Sequence, residues 1–245
     1  MFTLLSILFL GFFLGMRHAT DPDHVVAVTT IVSRERSIRS AAFIGAVWGI
    51  GHTLTLLLAG GAIVLLGLVV PPRLGLSLEF SVALMLIFLG FWNVNSFLRW
   101  LKSNSPAGKS SPSDVARASS PASNGGVPSP VNDDHTHHHT RASSAWRPLV
   151  VGVVHGLAGS AAVALLVLPM IHNPVWAIGY LMIFGAGTIG GMMLITAAVA
   201  LPFTYAATRS RSFHRHLGFA AGFLSVAFGL FLVYQIGFVQ GLFTR

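Results

Sequence analysis

The chain contains no cysteine, so disulfide bonds and thiolate metal ligands are both excluded. Charged residues are scarce at 9%, and acidic residues are the scarcer kind, with 7 Asp and Glu against 15 Lys and Arg. Neither a GxxxxGK P-loop nor an HExxH motif occurs, which argues against ATP hydrolysis and against that class of zinc hydrolase. Any bound metal ion would depend on histidine, carboxylate, methionine or backbone oxygen ligands.

Hydrophobic residues, by contrast, make up 53% of the chain and form apolar runs long enough to cross a hydrocarbon layer of about 30 Å. The sequence therefore predicts an all-α integral membrane protein with six transmembrane helices. The predicted spans lie near residues 3–32, 41–69, 78–101, 148–169, 175–201 and 217–241.

Basic residues are distributed unequally between the two sides of the predicted membrane. The connections after the first, third and fifth spans carry most of them, whereas the opposite side carries Arg73 and Arg245. Because positively charged loops face the cytoplasm, this pattern predicts a plasma-membrane protein with both termini outside the cell. Membrane topology then accounts for the net charge of +8, and nucleic acid binding is not expected.

Residues 103–145 are rich in Ser, Pro and Gly and contain no Leu, Ile, Phe, Met, Trp or Tyr, so they cannot bury enough surface to fold alone. The chain is thus divided into a first membrane repeat at 1–102, a disordered cytoplasmic loop at 103–145 and a second membrane repeat at 146–245. The loop contains a DDHTHHH tract at 133–139, which either captures divalent metal weakly or is a solvated spacer.

The two halves align as weak repeats of each other. His18 aligns with His155 at an offset of 137 residues, and the third spans align through Gly90 and Gly229 at 139. Since each half has three spans, the second must be inverted relative to the first, as in many secondary transporters with a site near the midplane. The alternative is that Gly-rich and Ala-rich helices align through composition alone.

A polar cluster, GMRHATDPDHVVAV at residues 15–28, interrupts the first span. Ionisable side chains at bilayer depth cost several kcal/mol each unless they are paired or bind a ligand, so the cluster is a candidate site. Helical spacing predicts that Arg17, His18, Asp21 and His24 share one face. Imidazole and carboxylate ligands without sulfur suit a divalent first-row metal. The alternative is a structural network that Arg17 neutralises.

Pro22 predicts a break in this span. Proline removes an amide and disfavours helical geometry at the preceding residue, so Asp21 reads as an N-cap and Pro22 as the first residue of a second half-helix. The break is expected to free the carbonyl of His18 and to turn Asp23 inward.

Two further histidines lie at similar predicted depth on other spans. Counted from the nearest predicted cytoplasmic Arg at about 1.5 Å per residue, His24, His52 and His155 are each roughly 12–20 Å from the membrane surface. Their convergence predicts one shared site. Taken singly, His52 or His155 could equally be a packed, hydrogen-bonded histidine.

These residues resemble a known family. HATDPDH fits the pattern HxxxxDH, and RHATDPDHVVAV resembles the RHAxDADHI signature of the nickel/cobalt transporter superfamily. GIGHT at 49–53 resembles that family's second signature around Gly-His-Ser/Thr. The later acidic Asp-Thr signatures are absent, and six spans with HGLAGS resemble most the UreH-like branch and its efflux and sulfite-exporter-like relatives.

The resemblance implies that His18, Asp21, Asp23 and His24 recognise metal and that His52 is an accessory polar residue; the depth argument adds His155. It implies a secondary transporter of Ni²⁺ or Co²⁺, with the ion as substrate and no prosthetic group, and urease-related or metal-chaperone partners. Two other functions stay open: an intramembrane metal-dependent hydrolase, and an anion exporter of the sulfite type in which Arg17 binds substrate.

Overall fold

The computed structural model describes residues 2–67, 71–103, 142–157, 171 and 173–243. Within these ranges all regular structure is helical, which confirms the all-α prediction for the described residues. The helices are α1 (Phe2–His18), α2 (Pro22–Val32), α3 (Ile38–Leu66), α4 (Pro72–Ser103), α5 (Ala142–Leu157), α6 (Pro174–Arg209), α7 (Arg211–Tyr234) and a π-helical turn (Gln235–Val239).

Four helices are long and apolar enough to cross a membrane: Ile38–Leu66, Pro72–Lys102, Pro174–Arg209 and Ser212–Val239. They correspond to the second, third, fifth and sixth predicted spans. The first predicted span is divided between the shorter apolar helices α1 and α2, as the proline predicted. Residues 158–169 of the fourth predicted span and the tract at 133–139 lie outside the described residues.

Two helices extend beyond the predicted spans. Helix α5 begins at Ala142, before the predicted start near residue 148, and the stretch ASSA carries no helix-breaking residue before Trp146. Helix α6 includes Pro202 and continues to Arg209, past the predicted end near residue 201. A proline inside a membrane helix is tolerated because neighbouring groups satisfy the freed backbone carbonyl.

The helices pack in a small number of extensive pairs: α1 with α6, α3 with α5 and α6, and α4 with α7. Glycines permit the close approach. A Cβ added to Gly15 of α1 would lie 2.9 Å from the amide nitrogen of Thr188, and one added to Gly152 of α5 would lie 3.0 Å from that of His52. Helices that approach this closely pack backbone against backbone, as small residues allow in lipid. Short α2 is enclosed by α4, α6 and α7, which places its histidine in the interior.

Candidate metal centre

The break between α1 and α2 positions the first part of the site. Asp21 is extended, with φ −58° and ψ 143°, the conformation that a following proline favours, and Pro22 begins α2. Asp21 occupies the predicted N-cap position, but its carboxylate does not cap the helix. Instead, Oδ2 lies 2.8 Å from Nδ1 of His18. The predicted free carbonyl of His18 is wrong, because that oxygen accepts the amide N–H of Asp21 at 3.1 Å within the turn.

Four imidazoles from α1, α2, α3 and α5 converge at this break. Nε2 of His18 lies 3.2 Å from Nε2 of His52. The ring centroids of His24 and His155 are 4.0 Å apart, and those of His18 and His24 are 4.7 Å apart. The helix break, the GIGHT segment of α3 and the α5 histidine therefore meet in one place.

Asp23 lies on the inner side of the break, as predicted. Its Oδ1 accepts the amide N–H of His24 at 3.0 Å and lies 3.2 Å from Nδ1 of the same residue. Its Oδ2 lies 3.0 Å from Nε2 of His155, within ion-pair distance. Asp23 thus links the histidines of α2 and α5.

The site is buried, and some of its imidazole nitrogen atoms have no hydrogen-bond partner among the described residues. His24, His52 and His155 have no solvent exposure, and His18 is 6% exposed. Nδ1 of His52, Nε2 of His24 and Nδ1 of His155 have no hydrogen-bond partner among the described residues. Buried polar atoms without partners cost roughly 1–3 kcal/mol each, so a cluster of them is expected where a ligand supplies the missing interactions.

Two triads of ligand atoms overlap at one residue. The first consists of His18, His24 and His52, and the second of Asp23, His24 and His155; within each triad the ligand atoms lie within 4.8 Å of one another. His24 belongs to both. Asp21, whose side chain is 40% exposed, contacts the first triad and forms its solvent-accessible end.

Arg17 does not join the cluster, contrary to the prediction that it shares a face with His18, Asp21 and His24. Its side chain is exposed, and the structure gives it no ion pair within the described part of the chain. The reason is the turn after His18: helical spacing relates residues only along a continuous helix, and α1 ends one residue after Arg17. Arg17 therefore does not neutralise the carboxylates of the cluster, as the structural-network alternative requires.

Trp48 is a member of the site that sequence reasoning missed. Its fully buried ring stacks on His24 with centroids 5.8 Å apart and an interplanar angle of 14°, and its Nε1 has no partner among the described residues. The available signal was its position one helical turn before His52 in the WGIGHT segment. Trp48 closes one wall of the cluster and fixes the plane of the His24 ring.

A known protein is similar to this chain over nearly its whole length. The chain is 35% identical to the urease accessory protein UreH of Bacillus sp. (strain TB-90) over 240 residues, which cover 98% of this chain and 96% of that protein. The chain belongs to the UreH family. The resemblance to the UreH-like branch of the nickel/cobalt transporter superfamily is thereby confirmed, and with its long apolar helices this member is an integral membrane protein. No family model matches the chain, and no solved structure matches it.

Proposed function

We propose that the chain is a secondary transporter that moves Ni²⁺ or Co²⁺ across the plasma membrane through the His/Asp cluster. The observation that carries the proposal is the meeting of four buried imidazoles, three of them with a nitrogen that has no partner among the described residues, at a broken membrane helix. Broken helices with polar groups at the break are a recurring device of secondary transporters. Imidazole with carboxylate suits divalent nickel and cobalt.

The distances and charges fit a divalent ion as the substrate. Two nitrogen ligands held about 2.1 Å from one ion, at angles between tetrahedral and octahedral, lie about 3.0–3.4 Å apart. The Nε2 atoms of His18 and His52 are 3.2 Å apart. The two carboxylates, Asp21 and Asp23, are the anionic side chains that would balance the charge of a divalent ion buried in the site.

The overlap at His24 supports two successive positions for the ion. The triad with His18 and His52 reaches the 40% exposed carboxylate of Asp21, whereas the triad with His155 contains the less exposed carboxylate of Asp23. An ion that exchanges partners while it stays bound to His24 avoids a fully unliganded state in the dry interior. Weak binding at several sites is also what permits release.

The predicted inverted repeat is supported by the helix contacts, and we include it in the proposal. Gly15 on α1 lies against the backbone of Thr188 on α6, and Gly152 on α5 lies against that of His52 on α3. Each residue of the first contact matches one of the second at an offset of 136 or 137 residues, the offset that aligns the two halves. The α1–α6 contact in one half-to-half direction therefore has its counterpart in the α5–α3 contact in the other direction.

The third membrane helices of the two halves, α4 and α7, also make a pair of matching contacts. A Cβ on Gly90 would lie 2.5 Å from the carbonyl oxygen of Gly222, and one on Gly229 would lie 2.9 Å from that of Ala83. The two contacts match at an offset of 139 residues. This reciprocity supports six spans in two inverted halves. The basic loops give the orientation of these spans in the proposal, with both termini outside and residues 103–145 cytoplasmic.

The alternatives are less well supported. A metal-dependent hydrolase needs a water and a base at the ion, and three of the four imidazoles have no solvent exposure. An anion exporter based on Arg17 conflicts with the exposed position of that residue. The similarity to a urease accessory protein supports a urease-related context, with a metal chaperone as a partner to be sought.

The proposal is tested by metal flux into proteoliposomes that contain the purified chain. We expect Ni²⁺ or Co²⁺ to accumulate at a rate well above that of protein-free vesicles, whereas sulfite does not. Sulfite flux without metal flux would support the exporter and overturn the proposal. Metal-dependent hydrolysis without flux would support an enzyme instead.

Pro22→Ala is expected to weaken the apparent affinity for the metal roughly two- to fivefold. Proline excludes helical geometry at Asp21, and losing such a conformational restriction costs about 0.4–1 kcal/mol. Half-saturation of initial flux measures the effect. Pro174→Ala is the matched control, since Pro174 also begins a helix but lies far from the cluster. Equal affinity in all three proteins would mean that the contacts of Asp21 alone maintain the break.

Deletion of residues 133–139 is expected to leave maximal flux unchanged but to raise the metal concentration needed for half-maximal export. The tract has four histidines whose imidazoles are largely neutral near pH 7 and raise the local metal concentration at a cytoplasmic entrance. Initial rates in oriented vesicles, measured in both directions, provide the test. Identical curves would reduce the tract to a spacer, and loss of all flux would assign it a structural role.

A further inference from the structure

A cavity of about 270 Å³ lies away from the metal centre, between the turn that follows α2, the second half of α4 and the start of α7. Its lining includes the guanidinium groups of Arg34, Arg36 and Arg215 and the imidazole of His214. Because α2, α4 and α7 contribute together, the turn after α2, the end of α4 and the start of α7 lie on one membrane surface. This cavity is called the arginine cavity below.

Positive charge in the arginine cavity is not balanced by a carboxylate of the described residues. None of its lining residues is acidic, and none of its three arginines pairs with a carboxylate within the described ranges. The neighbouring Glu35 accepts a hydrogen bond from the hydroxyl of Ser40 at 2.8 Å. Burial, followed by the positive charges of Arg99 and Arg147, lowers the pKa of Arg34, as expected where no anion is present.

The Arg34 guanidinium is held in place by a buried side chain. Nε donates to Oδ1 of Asn93 at 2.9 Å, and Nη2 donates to the hydroxyl of Ser96 at 2.8 Å. Asn93 is 7% exposed and donates in turn to Ser33 Oγ at 2.7 Å and to the carbonyl of Thr30 at 3.1 Å. Asn93 therefore fixes the arginine across α2 and α4 before a ligand binds. Fixed guanidinium groups suit the oxygens of a phosphate.

The surroundings of the arginine cavity favour lipid as the source of the phosphate. Arg215 stacks over the ring of Trp100 at 4.8 Å, and Trp92 is 49% exposed nearby on α4. Tryptophan is enriched at the level of lipid headgroups. Phe88 and Phe91 continue the exposed apolar surface of α4 toward the membrane interior, where acyl chains would lie. Basic pockets between membrane helices bind anionic headgroups in this manner.

We propose that the arginine cavity binds the phosphate of an anionic phospholipid, between Arg34, Arg36 and Arg215. The arginine cavity is separate from the metal centre, since no residue of the cavity belongs to either triad. A lipid bound there would link the turn between α2 and α3 to the end of α4 and the start of α7. These elements lie at the membrane surface next to α2, the second half of the broken helix.

Native mass spectrometry of the full chain, released from detergent with defined lipids, tests the proposal. We expect phosphatidylglycerol to be retained at least tenfold more strongly than phosphatidylcholine, and 10 mM inorganic phosphate not to displace it. Arg34→Gln and Arg215→Gln should each reduce retention at least tenfold. Arg34 makes hydrogen bonds to Asn93 and Ser96 of α4, whereas Arg215 stacks on Trp100, so Arg215→Gln keeps the test valid if Arg34→Gln unfolds.

Arg39→Gln and Arg209→Gln are matched controls, because both residues are exposed outside the arginine cavity. Equal losses in the controls would reduce the effect to general surface charge and overturn the proposal. Displacement by inorganic phosphate would identify a soluble-phosphate site and overturn the lipid assignment. Equal retention of the two lipids would overturn it as well.

Discussion

His24→Ala is expected to reduce metal flux to the level of protein-free vesicles and to weaken metal binding by at least about 100-fold. His24 is the residue common to both ligand triads, so its loss removes a ligand from each position of the ion. Loss of even an outer-shell partner typically costs 10- to 100-fold in affinity. Flux and equilibrium binding are measured on the same preparation.

Two further variants separate ligand loss from loss of structure. His24→Gln retains most of the side-chain volume between Trp48 and His155 and should abolish flux while the protein remains folded. His216→Ala removes an exposed imidazole outside the cluster and should behave like the unmodified chain. Normal flux in both His24 variants at matched protein levels would exclude the cluster as the transport site.

Gly152→Val is expected to destabilise the protein by at least about 2 kcal/mol and to abolish metal binding. A Cβ at this position would overlap the backbone at Trp48 and lie 3.0 Å from the amide nitrogen of His52, so α5 must move away from α3. Overpacking of this kind typically costs 1–3 kcal/mol, occasionally more, when a rigid neighbour cannot yield. The same movement would withdraw His155 from the cluster.

The loss of stability is measured by thermal unfolding in detergent, with size-exclusion chromatography as the readout of folded protein at each temperature. Gly179→Val is the matched control, because a Cβ on Gly179 meets no atom within 4 Å and the substitution changes helix propensity in the same way. The midpoint should fall by at least about 5 °C more for Gly152→Val than for Gly179→Val. Equal midpoints would mean that α5 does not need this close contact.

The part of the site that depends on local chemistry could be predicted from the sequence. A proline within a polar cluster restricts the backbone of the preceding residue whatever surrounds it, so the break at Pro22 and the inward position of Asp23 were predictable. The convergence of His52 and His155 was also predictable in outline, because membrane depth constrains helix positions along one axis.

Other features depend on contacts that a sequence does not contain. Helical spacing placed Arg17 in the cluster, but α1 ends at His18 and α2 begins at Pro22, so the spacing of one continuous helix does not apply. The contribution of Trp48 depends on how closely α3 approaches α2, which is a matter of packing. The start of α5 was misplaced because serine and alanine fit both loop and helix, and tertiary contacts decide between them.

X-ray absorption spectroscopy of the nickel-loaded protein tests the central claim most directly. The sample should lack residues 133–139, so that the histidines of that tract cannot supply imidazole ligands to the ion. We predict bound Ni²⁺ at one ion per chain, with nitrogen ligands near 2.1 Å and the outer-shell scattering of imidazole rings, and loss of that signal in His24→Gln. A spectrum with oxygen ligands alone, or an imidazole signal that is unchanged in His24→Gln, would contradict the account.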